Sequence, residues 1–313
     1  MTAKSGELVL ALGGGGARGL AHIGVLQVLA EHGVRIRAIA GTSVGAEIGA
    51  FIASGMTLAD MSDLATSFDW KQTLQLFLPD LPGGGLVSGK RVMSFLNETI
   101  GDRLIEDLVM GYVALATDLE TGEQVVLDRG PLVEAVRASI SLPAIFAPYR
   151  YLGRYLVDGG VVNPVPFDVA RKCFGGPVLA VAVHAGAHGF ERPRERPARS
   201  AAWIESARQL LQQPWVGPVE GLRQWLEEQL ESHAGENLPM PVWRARRVLD
   251  QAMAITQAQN VRLRGALSAP DIMLTPEVAG IDSFEFYRGA EALAAGRRAA
   301  ETALPAILAC VGL

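Results

Sequence analysis

The feature that most constrains this chain is a run of four glycines, Gly13 to Gly16. It directly follows the apolar stretch Leu8-Val9-Leu10-Ala11-Leu12 and precedes a helix-like pattern from Ala17. A short continuous apolar run bounded by glycines reads as a strand buried on both faces. Glycines between such a strand and a helix strip the turn of side chains and bare the N–H groups at the helix start. The chain then repeats the arrangement. Ile36–Ala40 reads as a second strand, Gly41-Thr42-Ser43-Val44-Gly45 as a sharp turn, and Gly45–Ser54 as a small-residue helix ended by Gly55. Two such turns at one edge of a parallel sheet set backbone donors beside a serine hydroxyl, which is what acyl transfer requires.

The remaining pattern extends the same architecture. Ala17–His32 places Leu20, Ile23, Leu26 and Leu29 at helical spacing, with Gly33 as its C′ residue. Thr57 and Asp60 form a capping-box-like start to a third helix. Trp70 to Gly85 is loop-like, and its Leu74, Leu76, Phe77 and Leu78 suit a flap over a site. Ser88 is expected to cap a helix to about Ile100. Tyr112–Thr117 and Gln124–Leu127 form a hairpin, and Tyr149–Leu152 and Arg154–Val157 a second one across Gly153. Pro131–Ser139 and Pro166–Cys173 read as helices, and Val178–Val183 as another buried strand. Trp243–Leu267 follows as a long helix, Asp271–Thr275 as a last strand, and Phe284 to about Ala300 as a final helix capped by Ser283. Alternating strands and helices imply a three-layer α/β/α fold around a mainly parallel central sheet.

Residues 186–242 break the alternation. Their opening, Glu191–Arg199, is charged and proline-broken, and Trp203, Trp215 and Trp225 follow. Val219, Leu222, Leu226 and Leu230 share a helix face, so the segment is expected to be an inserted helical subdomain within a domain spanning residues 7–313. A net charge of −5 argues against nucleic acid as a partner. Two cysteines, Cys173 and Cys310, far apart, supply neither a disulfide framework nor a metal site. No metal or cofactor is expected. The polar start and the lack of any run of about 18 apolar residues make a cytoplasmic protein the expectation.

A lone Gly-x-Ser-x-Gly is weak support for a nucleophile, because a small-residue helix start capped by Thr42 or Ser43 has the same pattern. The glycine loop strengthens it. Gly14-x-Gly16-x-x-Gly19 satisfies the dinucleotide fingerprint, but that site needs a carboxylate at the end of the next strand, where Gly41-Thr42-Ser43 stands instead. The remaining use for the loop is to hold an oxyanion. Asp158, at a strand end before Gly159-Gly160, is the candidate base. The order Ser43, Asp158, then His184 or His188 also permits a histidine triad, with His184 at a strand end the better placed. His22 and His32, on the first helix, suit packing or solvent exposure.

Gly14-Gly15-Gly16-Ala17-Arg18-Gly19, Gly41-Thr42-Ser43-Val44-Gly45 and Asp158-Gly159-Gly160 together resemble the bacterial patatin-like phospholipases. Supporting stretches are Gly19–Leu26, Arg137–Phe146 and Asn163-Pro164-Val165-Pro166. The resemblance covers residues 7 to about 185 and resumes weakly from Val248. It implies a dyad of Ser43 as nucleophile and Asp158 as base, with an oxyanion hole from Gly14, Gly15 and Gly16 and no catalytic histidine. Arg18, Gly19, Gly41, Gly45, Gly159 and Gly160 support the motifs, with Arg18 expected to anchor the loop through nearby carbonyls. The implied substrate is a lipid acyl ester, phospholipid or lysophospholipid, met at a membrane surface. Trp203, Trp215 and Trp225 could dock there, although the nearly balanced charge of the insertion favours packing instead.

Overall fold

The computed structural model describes residues 5–67, 87, 89–183 and 245–313. Its centre is an eight-stranded sheet. The strands are β1 (Glu7–Leu12), β2 (Arg35–Thr42), β3 (Gly111–Asp118), β4 (Gln124–Leu127), β5 (Tyr149–Tyr151), β6 (Arg154–Asp158), β7 (Val178–Val181) and β8 (Ile272–Leu274). Five of them, in the spatial order β3-β2-β1-β7-β8, are parallel. β4 runs antiparallel on β3, and the β5–β6 hairpin joins β3 antiparallel as well.

The helices among the described residues are α1 (Ala21–Glu31), α2 (Val44–Ala53), α3 (Leu58–Ser67), α4 (Lys90–Ile100), α5 (Leu132–Ser139), α6 (Phe167–Phe174), α7 (Ala245–Leu267) and α8 (Gly289–Val311). Strand alternation divides them into layers. Leu8, Leu10 and Leu12 of β1 face one core with α1, α2 and α5, while Val9 and Ala11 face another with Phe167, Val169 and Ala170 of α6. Burial on both faces explains why β1 reads as an unbroken apolar run. The chain divides into two compact units, 1–189 with 252–313, and 190–251. The segment 186–242, the flap at 70–85, Ser88, His184 and His188 lie outside the described residues.

One detail of register sets up the site. β3 pairs with β4 at Ala114–Thr117 along one edge. Its other edge is shared, end to end, by β2 and β6. Thr42 of β2 is opposite Leu115, and Asp158 of β6 is opposite the next residue, Ala116. The end of β2 and the end of β6 are therefore brought together by adjacent residues of one strand.

Several boundaries differ from the sequence pattern for physical reasons. Gly16–Leu20 is a 3-10 turn, and α1 proper starts at Ala21. α4 is preceded by Gly89 at φ 81°. The final helix starts five residues later than the pattern implies, at Gly289, and continues past Ala300 to Val311. Pro305 lies inside it on the exposed face, where water can satisfy the carbonyl that the proline cannot. Ser283 does not cap this helix; it has another role, described below.

Candidate active site

Ser43 stands between the end of β2 and the start of α2 with φ 55° and ψ −128°, a conformation that costs a non-glycine residue about 1–3 kcal/mol. Its carbonyl accepts the N–H groups of Ala46 and Glu47, locking the turn into the helix. The flanking glycines permit close packing. A Cβ on Gly45 would collide with the Leu12 carbonyl, and one on Gly41 with the Ala46 backbone. Gly19 lies against the Val44 side chain with no room for a Cβ.

Asp158 ends β6, is only 3% exposed, and faces this turn. Ser43 Oγ donates to Asp158 Oδ2 at 2.5 Å, and Gly160 N–H donates to Oδ1 at 2.7 Å. Burial pushes the carboxyl up to about 6, against the two hydrogen bonds that stabilise its charge. Gly159 cannot carry a side chain because a Cβ would strike the Leu115 carbonyl. The pair can pass a proton from hydroxyl to carboxylate without an intermediary. Among the described residues no histidine touches Asp158.

The glycine loop is tied on every side. Gly13 N–H donates to the Val181 carbonyl at 3.0 Å, and Gly14 N–H to the Pro164 carbonyl at 2.9 Å. The latter bond corrects the expectation for Gly14. Its N–H is already committed, and what the residue offers is its lack of a side chain, with a Cβ position 3.1 Å from Ser43 Cβ. Among the described residues nothing accepts the N–H of Gly15 or Gly16, which open the 3-10 turn and so have no partner within it. Gly16, at φ 59°, packs against Ser283, and a Cβ would collide with that carbonyl. The Ser283 carbonyl accepts Ala17 N–H at 2.8 Å, and its hydroxyl accepts Arg18 Nη2 at 2.5 Å. Arg18 thus ties the loop to the Ser283 hydroxyl.

One residue that pattern reading left in the background also reaches the glycine loop, and a second is buried in the helix that follows Ser43. His22, fully buried, donates from Nε2 to the Gly13 carbonyl at 2.8 Å, and burial lowers its pKa to about 4, so the ring is neutral. A histidine among the apolar Leu20, Ala21 and Ile23 was the available signal. Glu47, one turn into α2, has its carboxyl pushed up to about 7 by burial. After Asp158 in the chain, Asn163 donates to Gln124 and Asp168, and its backbone carbonyl accepts Thr42 Oγ1 at 2.9 Å. α7 secures this loop, with Asn260 bonding the Val161 carbonyl and Arg264 pairing with Asp168.

The class defined by fold and site is an α/β/α protein with a strained serine on a strand-to-helix turn, bonded to a buried aspartate beside a glycine loop. Comparison with known proteins narrows it. Residues 10–171 match the family model described as patatin-like phospholipase. An uncharacterised NTE family protein of Mycobacterium tuberculosis is 31% identical, over 97% of this chain and 92% of its own length. Neuropathy target esterase sws of Drosophila melanogaster is 35% identical over 56% of this chain and 13% of its own. Among solved structures, VipD from Legionella pneumophila is 16% identical over 93% of this chain and 75% of its own, with a TM-score of 0.38. This chain belongs to the patatin-like phospholipase family.

Proposed function

We propose that this protein is a serine acyl hydrolase that cleaves carboxylic ester bonds of lipids, phospholipid or lysophospholipid, with Ser43 as nucleophile and Asp158 as base. The observation that carries the reading is the 2.5 Å hydrogen bond from Ser43 Oγ to a buried carboxylate whose pKa is raised to about 6. A carboxylate with that pKa is ionised at neutral pH yet a better base than a solvated aspartate, which titrates near 4. Family membership supports a lipid as the substrate class.

In this mechanism Ser43 Oγ attacks the ester carbonyl carbon as its proton passes to Asp158 Oδ2. The carbonyl oxygen becomes an oxyanion, received by the open N–H groups of Gly15 and Gly16. Each such donor is worth about 3–4 kcal/mol when lost. Collapse of the intermediate breaks the ester C–O bond, and the departing alcohol takes the proton from Asp158. Water then attacks the acyl-enzyme, Asp158 accepts its proton, and the proton returns to Ser43 Oγ as the fatty acid leaves. Residues 7–313 would act as one hydrolase domain with 186–242 as its insertion, working at a lipid surface.

The test is release of fatty acid from a panel of phospholipids, lysolipids and short-chain esters. Wild type should turn over at least one class, and Ser43→Ala should lose at least about a thousandfold. His184→Ala and His188→Ala should keep the activity. Release that survives Ser43→Ala, or that disappears with either histidine, would overturn the reading, as would no turnover by wild type on any of them.

A further inference from the structure

We infer that Ser139 is a positioning residue for the nucleophile, and that the C-terminal end of α5 holds the backbones of both Ser43 and Asp158 in register. The inference rests on the proposed Ser43–Asp158 chemistry and adds to it the element that fixes its geometry.

Ser139 is the last residue of α5 and is fully buried. Its Oγ donates to the Leu115 carbonyl at 2.5 Å and accepts the Ser43 N–H at 2.9 Å. A hydroxyl has one proton, and here the carbonyl takes it, so only a lone pair can face Ser43. The bridge sits where the edge of β3 passes from β2 to β6, since Leu115 is opposite Thr42 and Ala116 opposite Asp158. Ser43, turned out of the strand at φ 55°, has no ladder acceptor for its N–H, and Ser139 supplies one. That N–H is therefore structural and cannot also serve an oxyanion.

Two residues on, Ser141 is also fully buried, and its carbonyl accepts the Asp158 N–H at 2.9 Å. Ser141 Oγ donates to the Arg137 carbonyl at 2.9 Å and accepts Arg137 Nη1 at 2.7 Å. The Arg137 guanidinium is sandwiched near Phe146 and Tyr149, 4.9 and 5.1 Å from the ring centroids. One buried helix end thus reaches the nucleophile's amide through residue 139 and the base's amide through residue 141. Neither contact touches the reacting atoms. What they set is the distance and angle of the Ser43–Asp158 bond, and misplacement of a reacting group by about 1 Å costs on the order of a hundredfold in rate.

Ser139→Ala removes the bridge with almost no change of volume. Val136→Ala, a buried substitution on the same helix, serves as a control for loss of stability alone. Both variants and wild type are compared by the rate at which a fluorophosphonate labels Ser43, by kcat and KM on the best ester of the panel, by the pH profile and by thermal midpoint. Ser139→Ala should be labelled about 10- to 100-fold more slowly, with kcat reduced in parallel and KM within about twofold. Its acid limb should move to higher pH, because the Ser43 hydrogen bond is one of the interactions that lower the Asp158 pKa. Val136→Ala should lose thermal stability while keeping labelling rate and acid limb. Wild-type labelling of Ser139→Ala, or the same kinetic loss in Val136→Ala, overturns the positioning role while leaving the proposed function intact. Wild type that takes no label removes both.

Discussion

Replacing Asp158 with asparagine should make the protein more stable and less active at once, with a stability gain that depends on pH. The carboxyl is 3% exposed and its pKa rises from 3.8 to about 6 in the folded protein. That rise is about two units, each worth about 1.4 kcal/mol, so the ionised carboxylate costs the fold about 3 kcal/mol at pH 8. The sign follows from proton binding. A carboxyl with a raised folded pKa binds protons more tightly in the native state, so its cost is absent below about pH 4, grows between about 4 and 6, and is complete above that. Asparagine carries no charge and has the same shape. Its oxygen can keep the Gly160 N–H and its amide can face Ser43 Oγ, so the local bonds survive with one polarity reversed. At about 2 °C per kcal/mol for a chain of this size, Asp158→Asn should melt about 6 °C above wild type at pH 8 and within about 1 °C of it at pH 4. Hydrolysis should fall at least about 100-fold, because the amide cannot take the serine proton. Thermal scans of both proteins from pH 4 to 9, beside ester turnover, measure the two effects. A stability difference that does not change with pH, or a variant less stable than wild type at pH 8, would refute the account of Asp158 as a desolvated base.

Two further outcomes follow from the same geometry. The kcat/KM of wild type should fall about tenfold per pH unit below about 6, where Asp158 becomes protonated, and Glu47→Gln should leave that limb in place although it removes the carboxyl pushed up to about 7 nearby; a limb that vanishes with Glu47→Gln would transfer the titration to Glu47. Gly16→Ala should abolish labelling of Ser43 by a fluorophosphonate, since its Cβ would meet the Ser283 carbonyl and its φ of 59° disfavours any side chain; labelling at the wild-type rate would show that the loop does not need this conformation.

What could be read from the chain in advance was local. The buried runs of β1, β2 and β7, the two hairpins and the serine turn follow from period, length and turn residues within a few positions of one another. The hairpin at Leu152-Gly153 has both residues at positive φ, as a two-residue turn demands. The sharing of one β3 edge by β2 and β6 has no such signature, because it depends on where two distant strands stop. The bridge from Ser139 spans 96 residues and the Arg18–Ser283 bond 265, and neither spacing is periodic. The final helix runs on to Val311, beyond the end expected near Ala300, because its exposed face tolerates Pro305. Gly14 shows the limit of motif reading most plainly. Its type was recognisable, but only the neighbouring Pro164 carbonyl reveals that its N–H is spent.

The contact of Ser283 with the glycine loop bears on the order in which the protein is made. The matched family region ends at residue 171 and contains both Ser43 and Asp158, yet Ser283, which bonds Ala17 and Arg18, is synthesised more than a hundred residues later. β8 and α8 are translated in the same late stretch, and α8 packs so closely on α1 that Gly24 and Gly296 have no room for a Cβ. A nascent chain in which the first strands have already paired would hold a serine and a carboxylate without the frame that shapes the loop beside them. The frame of the glycine loop is therefore completed only after Ser283 has been translated, long after the Ser43 and Asp158 that the proposed mechanism uses.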